Sequence, residues 1–335
     1  MLPAEDNLSF ISIIIPCRNE EKYTGKCLDS IIMQDYPKEN LEVLVIDGAS
    51  EDKTREIVQD FSSQYPFIKL LTNPQKFTPF ALNIGIKAAK GEIIVRMDAH
   101  AGYEKDYVSK CVAHLMESGA DNVGGAMKTL PAKNTLVARA VAYSLASPFG
   151  AASDFRVGSK AAKSVDTVFG GCYRREIFDR VGLFNENLAK TQDMEFNIRL
   201  KRAGGKILLV PEIVAYYYPK SNLKDFFLHN FEDGIWAIYP LKFVKIPLKL
   251  RHYIPLIFTS SLLGTGILGI FFPIFFWLFL FIISLYLLAN VYFSSKTVLR
   301  EKDFKYFFIM PVVFATRHIG YGLGSIWGLI KLFKK

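Results

Sequence analysis

Cysteine is scarce. The chain of 335 residues has four, Cys17, Cys27, Cys111 and Cys172, and no two fall in a C-x-x-C spacing. That leaves neither a zinc knuckle nor a disulfide framework, so four small, reduced core residues are expected. No G-x-G-x-x-G follows the first strand-like run, and no G-x-x-x-x-G-K-[ST] occurs anywhere, so dinucleotide and P-loop sites fit poorly. There is no internal repeat and no low-complexity tract. The first ten residues, MLPAEDNLSF, are acidic and lack a basic stretch ahead of an apolar core. They do not read as a signal peptide, which leaves the soluble part in the cytoplasm.

Charge is absent from Ile254 to Phe293. At roughly 20 residues per helix the run is long enough for about two bilayer crossings. Pro273 sits near its middle, where a tight turn fits, so helices are expected at 254–272 and 274–293. A third apolar segment, 307–330, is interrupted by Arg317 and His318. A full crossing there would put Lys331, Lys334 and Lys335 outside, against the positive-inside tendency; a re-entrant or interfacial segment is expected instead.

The net charge is +9 and the pI near 9.2. No basic patch interleaved with aromatics occurs in the soluble part, so no nucleic-acid partner is expected. The bases crowd LKFVKIPLKLRHY, where Lys242, Lys245, Lys249 and Arg251 alternate with apolar residues. Such a segment is drawn to anionic membrane lipid. Residues 216–253 therefore read as amphipathic juxtamembrane helices between a domain at 1–215 and a membrane region at 254–335. His229 and Asp233 lie within that stretch, where an interfacial helix with ordinary polar residues is expected and a lid or a further metal ligand is the alternative.

Residues 1–215 alternate strand and helix. FISIIIP is β-branched and continuously apolar, the pattern of a buried parallel strand. A helix is expected from about Tyr23 to Gln34, a strand over LEVLVID, and a helix capped by Ser50. A strand over FIKLL follows, then a helix with Phe80, Ile84 and Ala88 on one stripe and Gly91 at its end. EIIVRM is the fourth strand. This order implies an α/β domain with a mostly parallel sheet. In such sheets ligands bind beyond the carboxyl ends of the strands. Arg18-Asn19-Glu20, Asp47 and Asp98-Ala99-His100 all fall there. With no glycine loop to cradle phosphates, a diphosphate needs another counter-charge. A divalent cation on Asp98 and His100 could supply it, with Lys76 adding a further charge. Asp193, at the start of a helix whose stripe is Phe196 and Leu200, suits a general base, its anion favoured by the helix dipole. Asp193 could equally be only a first-turn charge, as could the neighbouring carboxylates Glu195 and Asp166.

SIIIPCRNEE, LEVLVIDGASEDKT, ALNIGIKAAKGEIIVRMDAH and GGCYRREIFDRVGLFNENLAKTQDMEFNIRLKRAGGKI, in this order, resemble the motifs of the inverting glycosyltransferase family 2. RMDAHA, NPQKFTPFALN and RHIGYGLGSIWG further resemble succinoglycan-type exopolysaccharide glucosyltransferases. The resemblance implies a GT-A fold, Rossmann-like, followed by C-terminal transmembrane helices. It also implies transfer of a sugar, glucose being expected, from a UDP-sugar to a polyprenyl-diphosphate-linked saccharide. Alternatives are loading of polyprenyl phosphate itself, or a non-catalytic scaffold. Carried over, Pro16, Arg18, Asn19, Glu20, Asp47, Lys76, Asp98, Ala99, Gly170 and Gly171 would line the nucleotide-sugar pocket. Asp47 would accept a hydrogen bond from the uracil. Asp98 and His100 would hold Mn²⁺ or Mg²⁺, and Asp193 would be the base. Arg18 stands where the family usually has Tyr, and Gln192 where it has Glu. The processive enzymes' Q-x-x-R-W is missing, which points to one addition at a time. The implied location is the inner membrane, multi-pass, with membrane lipid and other glycan-assembly enzymes as partners.

Overall fold

The computed structural model describes residues 8–151, 153–244 and 250–333. Lys245, Lys249, Lys334, Lys335 and the side chain of Arg251 lie outside the described residues. The chain forms two compact units. One takes the chain to Lys128 and then Gly158–Tyr217; the other takes Thr129–Val157 and the chain from Tyr218 onward.

In chain order the elements are β1 (Ile11–Cys17), α1 (Thr24–Ile32), β2 (Leu41–Asp47), α2 (Thr54–Gln64), β3 (Ile68–Thr72), α3 (Thr78–Ala88) and β4 (Ile93–Arg96). Next come β5 (Ala101–Tyr103), α4 (Tyr107–Ser118), β6 (Asn122–Thr129), α5 (Leu136–Leu145) and α6 (Asp154–Val157). Then follow β7 (Lys163–Ser164), β8 (Cys172–Arg174), α7 (Glu176–Val181), α8 (Gln192–Arg202) and β9 (Ile207–Tyr217). The last helices are α9 (Leu223–Ile238), α10 (Leu250–Leu268), α11 (Pro273–Glu301) and α12 (Lys305–Phe333).

The strands join in the order β3-β2-β1-β4-β8-β6-β9-β5, with β7 on β9. β3, β2, β1 and β4 are parallel, with Ile11 opposite both Leu41 and Ile93. Every residue of β2 is buried, as a strand with both faces covered requires. Beyond β4 the sheet departs from the mostly parallel expectation: β8 runs antiparallel to β4 and β6, and β9 antiparallel to β5 and β7. Most of these later strands are too short to show a period. All four cysteines are buried free thiols.

Two local expectations change. Ser50 does not cap α2; its Oγ accepts the Asn19 amide at 2.9 Å, while Asp52 accepts the Thr54 amide at 3.0 Å. In α3 the buried face is Pro79, Leu82, Asn83, Gly85 and Ile86, rather than Phe80, Ile84 and Ala88. Gly85 is on the inward face, where a Cβ would lie 2.6 Å from Ile14 Cγ2 on β1, so the close packing there needs glycine.

Glu42 is a buried carboxylate in β2. It accepts from the Ser12 hydroxyl at 2.7 Å and the Lys90 amide at 2.6 Å, and pairs with Lys69 at 3.2 Å. Burial opposes its ionisation, but these donors outweigh burial and hold it below the usual carboxylate range. Stability from a lowered folded pKa is complete above the unfolded value of about 4.3 and is lost as pH falls through the folded one. Glu42→Gln should therefore cost about 1.5–3 kcal/mol at neutral pH, as for hydrogen bonds to a charged group. Thermal melts at neutral and acidic pH should show the gap to wild type closing only on the acid side.

In the second unit α12 is one unbroken helix, so 307–330 does not turn back on itself as a re-entrant segment would. Arg317 in its middle donates to Asn230 Oδ1 at 2.6 Å and to the Gly150 carbonyl. His318 bonds the Phe149 carbonyl at 2.8 Å and the Tyr286 hydroxyl at 3.0 Å. The Phe149 ring sits among Tyr286, Phe293, Phe314 and His318, with centroids 4.7–5.9 Å away. α9 lies on α12 at backbone contact. A Cβ at Gly324 would come within 1.9 Å of the Phe231 carbonyl oxygen, and one at Gly234 within 2.0 Å of that of Tyr321. Among the described residues one helix, α11, is long and apolar enough to cross a membrane. Pro273 opens it, as a first-turn proline can. Of the expected pair of spanning helices, the described residues show one of that length, α11, while α10 contributes the shorter apolar part His252–Leu268.

Candidate active site

The turns that follow β1, β2, β3 and β4 converge at the carboxyl edge of the parallel strands. Asn19 joins the first two: its Oδ1 accepts the Glu51 amide at 2.9 Å, and its own amide reaches Ser50. The Glu20 amide donates to Thr54 Oγ1 at 2.7 Å. A Cβ at Gly48 would lie 3.1 Å from the Lys76 carbonyl oxygen and 3.2 Å from Arg18 Cβ, so those turns touch. Arg18 and Lys76 are exposed, and Pro16 is half-buried. Asn19, Ala49, Lys76 and Thr191 are four of the five described non-glycine residues with left-handed φ. Strain of this kind gathers where a site over-determines the backbone.

Asp47 is fully buried. Its carboxylate accepts from the Ser50 amide at 3.2 Å and pairs with Arg55 at 3.3 Å. The role expected for Asp47 did not anticipate Arg55.

At the end of β4, Asp98 Oδ1 accepts from Arg96 Nη2 at 3.1 Å and Nε at 3.3 Å. Its amide donates to the Tyr103 hydroxyl at 2.7 Å. Burial works against the Asp98 charge, but Arg96 and then His100 overcome it and keep the carboxyl below its ordinary range. His100 Nδ1 lies 3.2 Å from Glu20 Oε1, and its ring meets Tyr217 edge-on at 5.7 Å. This links the first turn to the fourth. Ala99 is buried in the core.

Gly170 and Gly171 adjoin β4. Their φ values of +68° and +115° are in the region that favours glycine. The Arg96 amide donates to the Gly171 carbonyl at 2.9 Å, and a Cβ at Gly170 would sit 2.8 Å from the Arg96 carbonyl oxygen. Arg96 is the residue sequence reasoning missed. Its signal was a lone cation closing an apolar strand. Burial disfavours its charge, but Asp98 and then Asp193 hold it firmly protonated. Asp193 therefore lies within electrostatic reach of the same guanidinium.

Asp193 stands in the first turn of α8, and its Oδ1 accepts the Met194 amide at 2.9 Å. The neighbouring carboxylates are otherwise engaged: Glu195 with Arg199 at 2.7 Å and Asp166 with Lys201 at 3.2 Å. Arg199 also donates to the Leu183 carbonyl at 2.7 Å. Asn83 holds the same loop, donating to the Phe184 carbonyl at 2.9 Å and accepting its amide at 3.0 Å. In the second unit, His229 and Asp233 pair with each other across one turn of α9 at 3.5 Å.

Residues 12–182 match the family described as Glycosyl transferase family 2. The chain belongs to that family. It is a glycosyltransferase with a GT-A-like α/β fold. One relative is the dolichyl N-acetyl-alpha-D-glucosaminyl phosphate 3-beta-D-2,3-diacetamido-2,3-dideoxy-beta-D-glucuronosyltransferase of Methanococcus voltae. It is 30% identical, over 97% of this chain and 98% of its own length. Another is the succinoglycan biosynthesis protein ExoA of Rhizobium meliloti, 29% identical over 66% of this chain and 67% of its own. Among solved structures, the mannosyltransferase PcManGT of Pyrobaculum calidifontis, in complex with GDP-Man and Mn²⁺, covers 96% of this chain and 88% of its own. Its TM-score is 0.61 at 19% identity. At that identity the likeness is one of fold.

Among the described residues no cluster of three or more His, Cys, Asp or Glu side chains could hold a metal. An ionised Asp98 and an imidazole two residues on make a partial donor set. That suits a divalent cation sharing its coordination with substrate phosphates rather than a closed protein cage. Pairing of Nδ1 with Glu20 is the contact that commonly orients a metal-binding imidazole.

Proposed function

We propose that this glycosyltransferase moves a sugar, glucose in our reading, from a UDP-sugar to a polyprenyl-linked saccharide, with inversion, in building a cell-surface or exopolysaccharide glycan. What carries the reading is the placing of two carboxylates: Asp98, paired with the buried Arg96 at the nucleotide turns, and Asp193, in the first turn of α8. Two carboxylates with different partners suit two tasks. Asp193 takes the proton from the acceptor hydroxyl as its oxygen attacks the anomeric carbon, and the nucleoside diphosphate leaves from the opposite face. Arg18, Asn19, Glu20, Asp47 and Lys76 bind the nucleotide, while Gly170 and Gly171 admit the sugar. Asp98 and His100 would hold Mn²⁺ or Mg²⁺, which would neutralise charge building on the leaving diphosphate. Engagement of Glu195 and Asp166 with Arg199 and Lys201 favours Asp193 as the base. The enzyme is anchored in the inner membrane through α11, its catalytic unit on the cytoplasmic side. The named acceptor of the M. voltae relative, a sugar on dolichyl phosphate, supports a lipid already carrying a sugar.

The test is to incubate the full-length protein in detergent with labelled UDP-sugars and three acceptors: bare polyprenyl phosphate, and polyprenyl phosphate and diphosphate each bearing one sugar. Label from UDP-glucose should enter a sugar-bearing lipid. Label confined to bare polyprenyl phosphate would replace this reading with lipid loading, and no transfer from any donor would leave a scaffold.

A further inference from the structure

Arg96 ends a strand whose preceding residues, Ile93, Ile94 and Val95, are all buried. Its own side chain is 12% exposed. Burying a guanidinium costs several kcal/mol in desolvation, and an apolar residue of like size is often at least as stable. The charge therefore needs a reason beyond packing. Both Nε and Nη2 point to one oxygen, Asp98 Oδ1. The backbone is pinned from the other side by the turn at Gly170 and Gly171. The cation is built in, held by two neighbours that leave it little freedom to swing away.

We propose that Arg96 is the resident counter-cation of the donor site, a positioning residue that neutralises Asp98 while no metal is bound. It thereby opposes binding of a divalent cation to the bare enzyme and favours the diphosphate. The inference rests on the proposed role of Asp98 beside the metal and the diphosphate. A like charge a few ångströms away disfavours a cation, and an opposite charge favours an anion. The two ligands should thus respond to loss of the guanidinium in opposite directions. The leaving diphosphate would bring the negative charge that lets a metal settle beside an arginine, so donor and metal would bind together.

Two binding measurements on the full-length protein in detergent decide this. Mn²⁺ is titrated alone, and UDP is titrated in EDTA, each against wild type, Arg96→Met and Arg96→Lys. Arg96→Met should bind Mn²⁺ about tenfold more tightly than wild type and UDP about tenfold more weakly, within the roughly 5–150-fold span of couplings between sites. Arg96→Lys should stay near wild type in both. If Arg96→Met weakens both ligands, or changes neither, Arg96 is a structural prop and the inference is overturned. Should Arg96→Met fail to fold, Arg96→Gln is read by the same pair of opposite shifts. A wild-type protein that binds neither Mn²⁺ nor UDP when the two are supplied together would instead overturn the proposed function, and this inference with it.

Discussion

Asp193→Asn is expected to abolish sugar transfer, by about 10²–10⁴-fold, the usual contribution of a positioned general base. The amide oxygen can still accept the Met194 N–H, so the first turn of α8 should keep its form. Basicity is removed, together with a charge that reaches Arg96. UDP binding should not weaken, because the proton moves only in the transition state and an anion is lost rather than gained. Calorimetry with UDP beside a transfer assay separates these outcomes, and near-normal turnover would take Asp193 out of the mechanism. Glu195→Gln should behave differently. It loosens Arg199, which holds the loop at Leu183, and so should lower thermal stability as well as rate.

The second large effect is expected at His100. His100→Ala removes one of the two side chains assigned to the metal and breaks the 3.2 Å contact with Glu20. Mn²⁺ affinity in the presence of UDP should fall on the order of a hundredfold, the upper range for losing the groups that shape a metal site. His100→Asp should recover much of the activity and move the preference from Mn²⁺ toward Mg²⁺, since the hard cation favours oxygen over imidazole. Electron paramagnetic resonance of free Mn²⁺ reads the affinity directly. Normal Mn²⁺ binding in His100→Ala would make the imidazole a bystander.

The parallel half of the fold was legible because its strands are short runs rich in apolar residues, and the first three are each followed by a helix pattern. The order of β1 to β4, and the set of turns beyond them, follow from that alternation. β5, β7 and β8 were not legible: strands this short carry no period, and their direction is set by pairing with β4, β6 and β9. Composition marked the apolar stretch after Ile254, but it could not show which helix is long enough to cross. Nor did anything in the sequence assign Thr129–Val157 to the compact unit of the C-terminal helices, because the Phe149 cage depends on rings contributed from Tyr286 onward. Around these turns, residues with familiar spacing were named from the sequence, whereas Arg55 and Arg96 were not. Each acts through a partner, and a partner is a matter of folded geometry.

The contact of α9 with α12 has a consequence for synthesis. The glycine face that α9 needs belongs to a helix made later, and the cage around Phe149 also waits for Phe314 and His318. At about 5–20 residues per second, α9 stands uncovered for roughly 5–20 s after it emerges, and Phe149 for longer. The strands of the other unit are all made by then, so that unit can close first. A chain that stops short of α12 would leave α5, α9 and Phe149 with apolar faces unmatched. Release of such a fragment should expose those helices to chaperones and proteases, so making α12 is what protects the unit that holds α5 and α9.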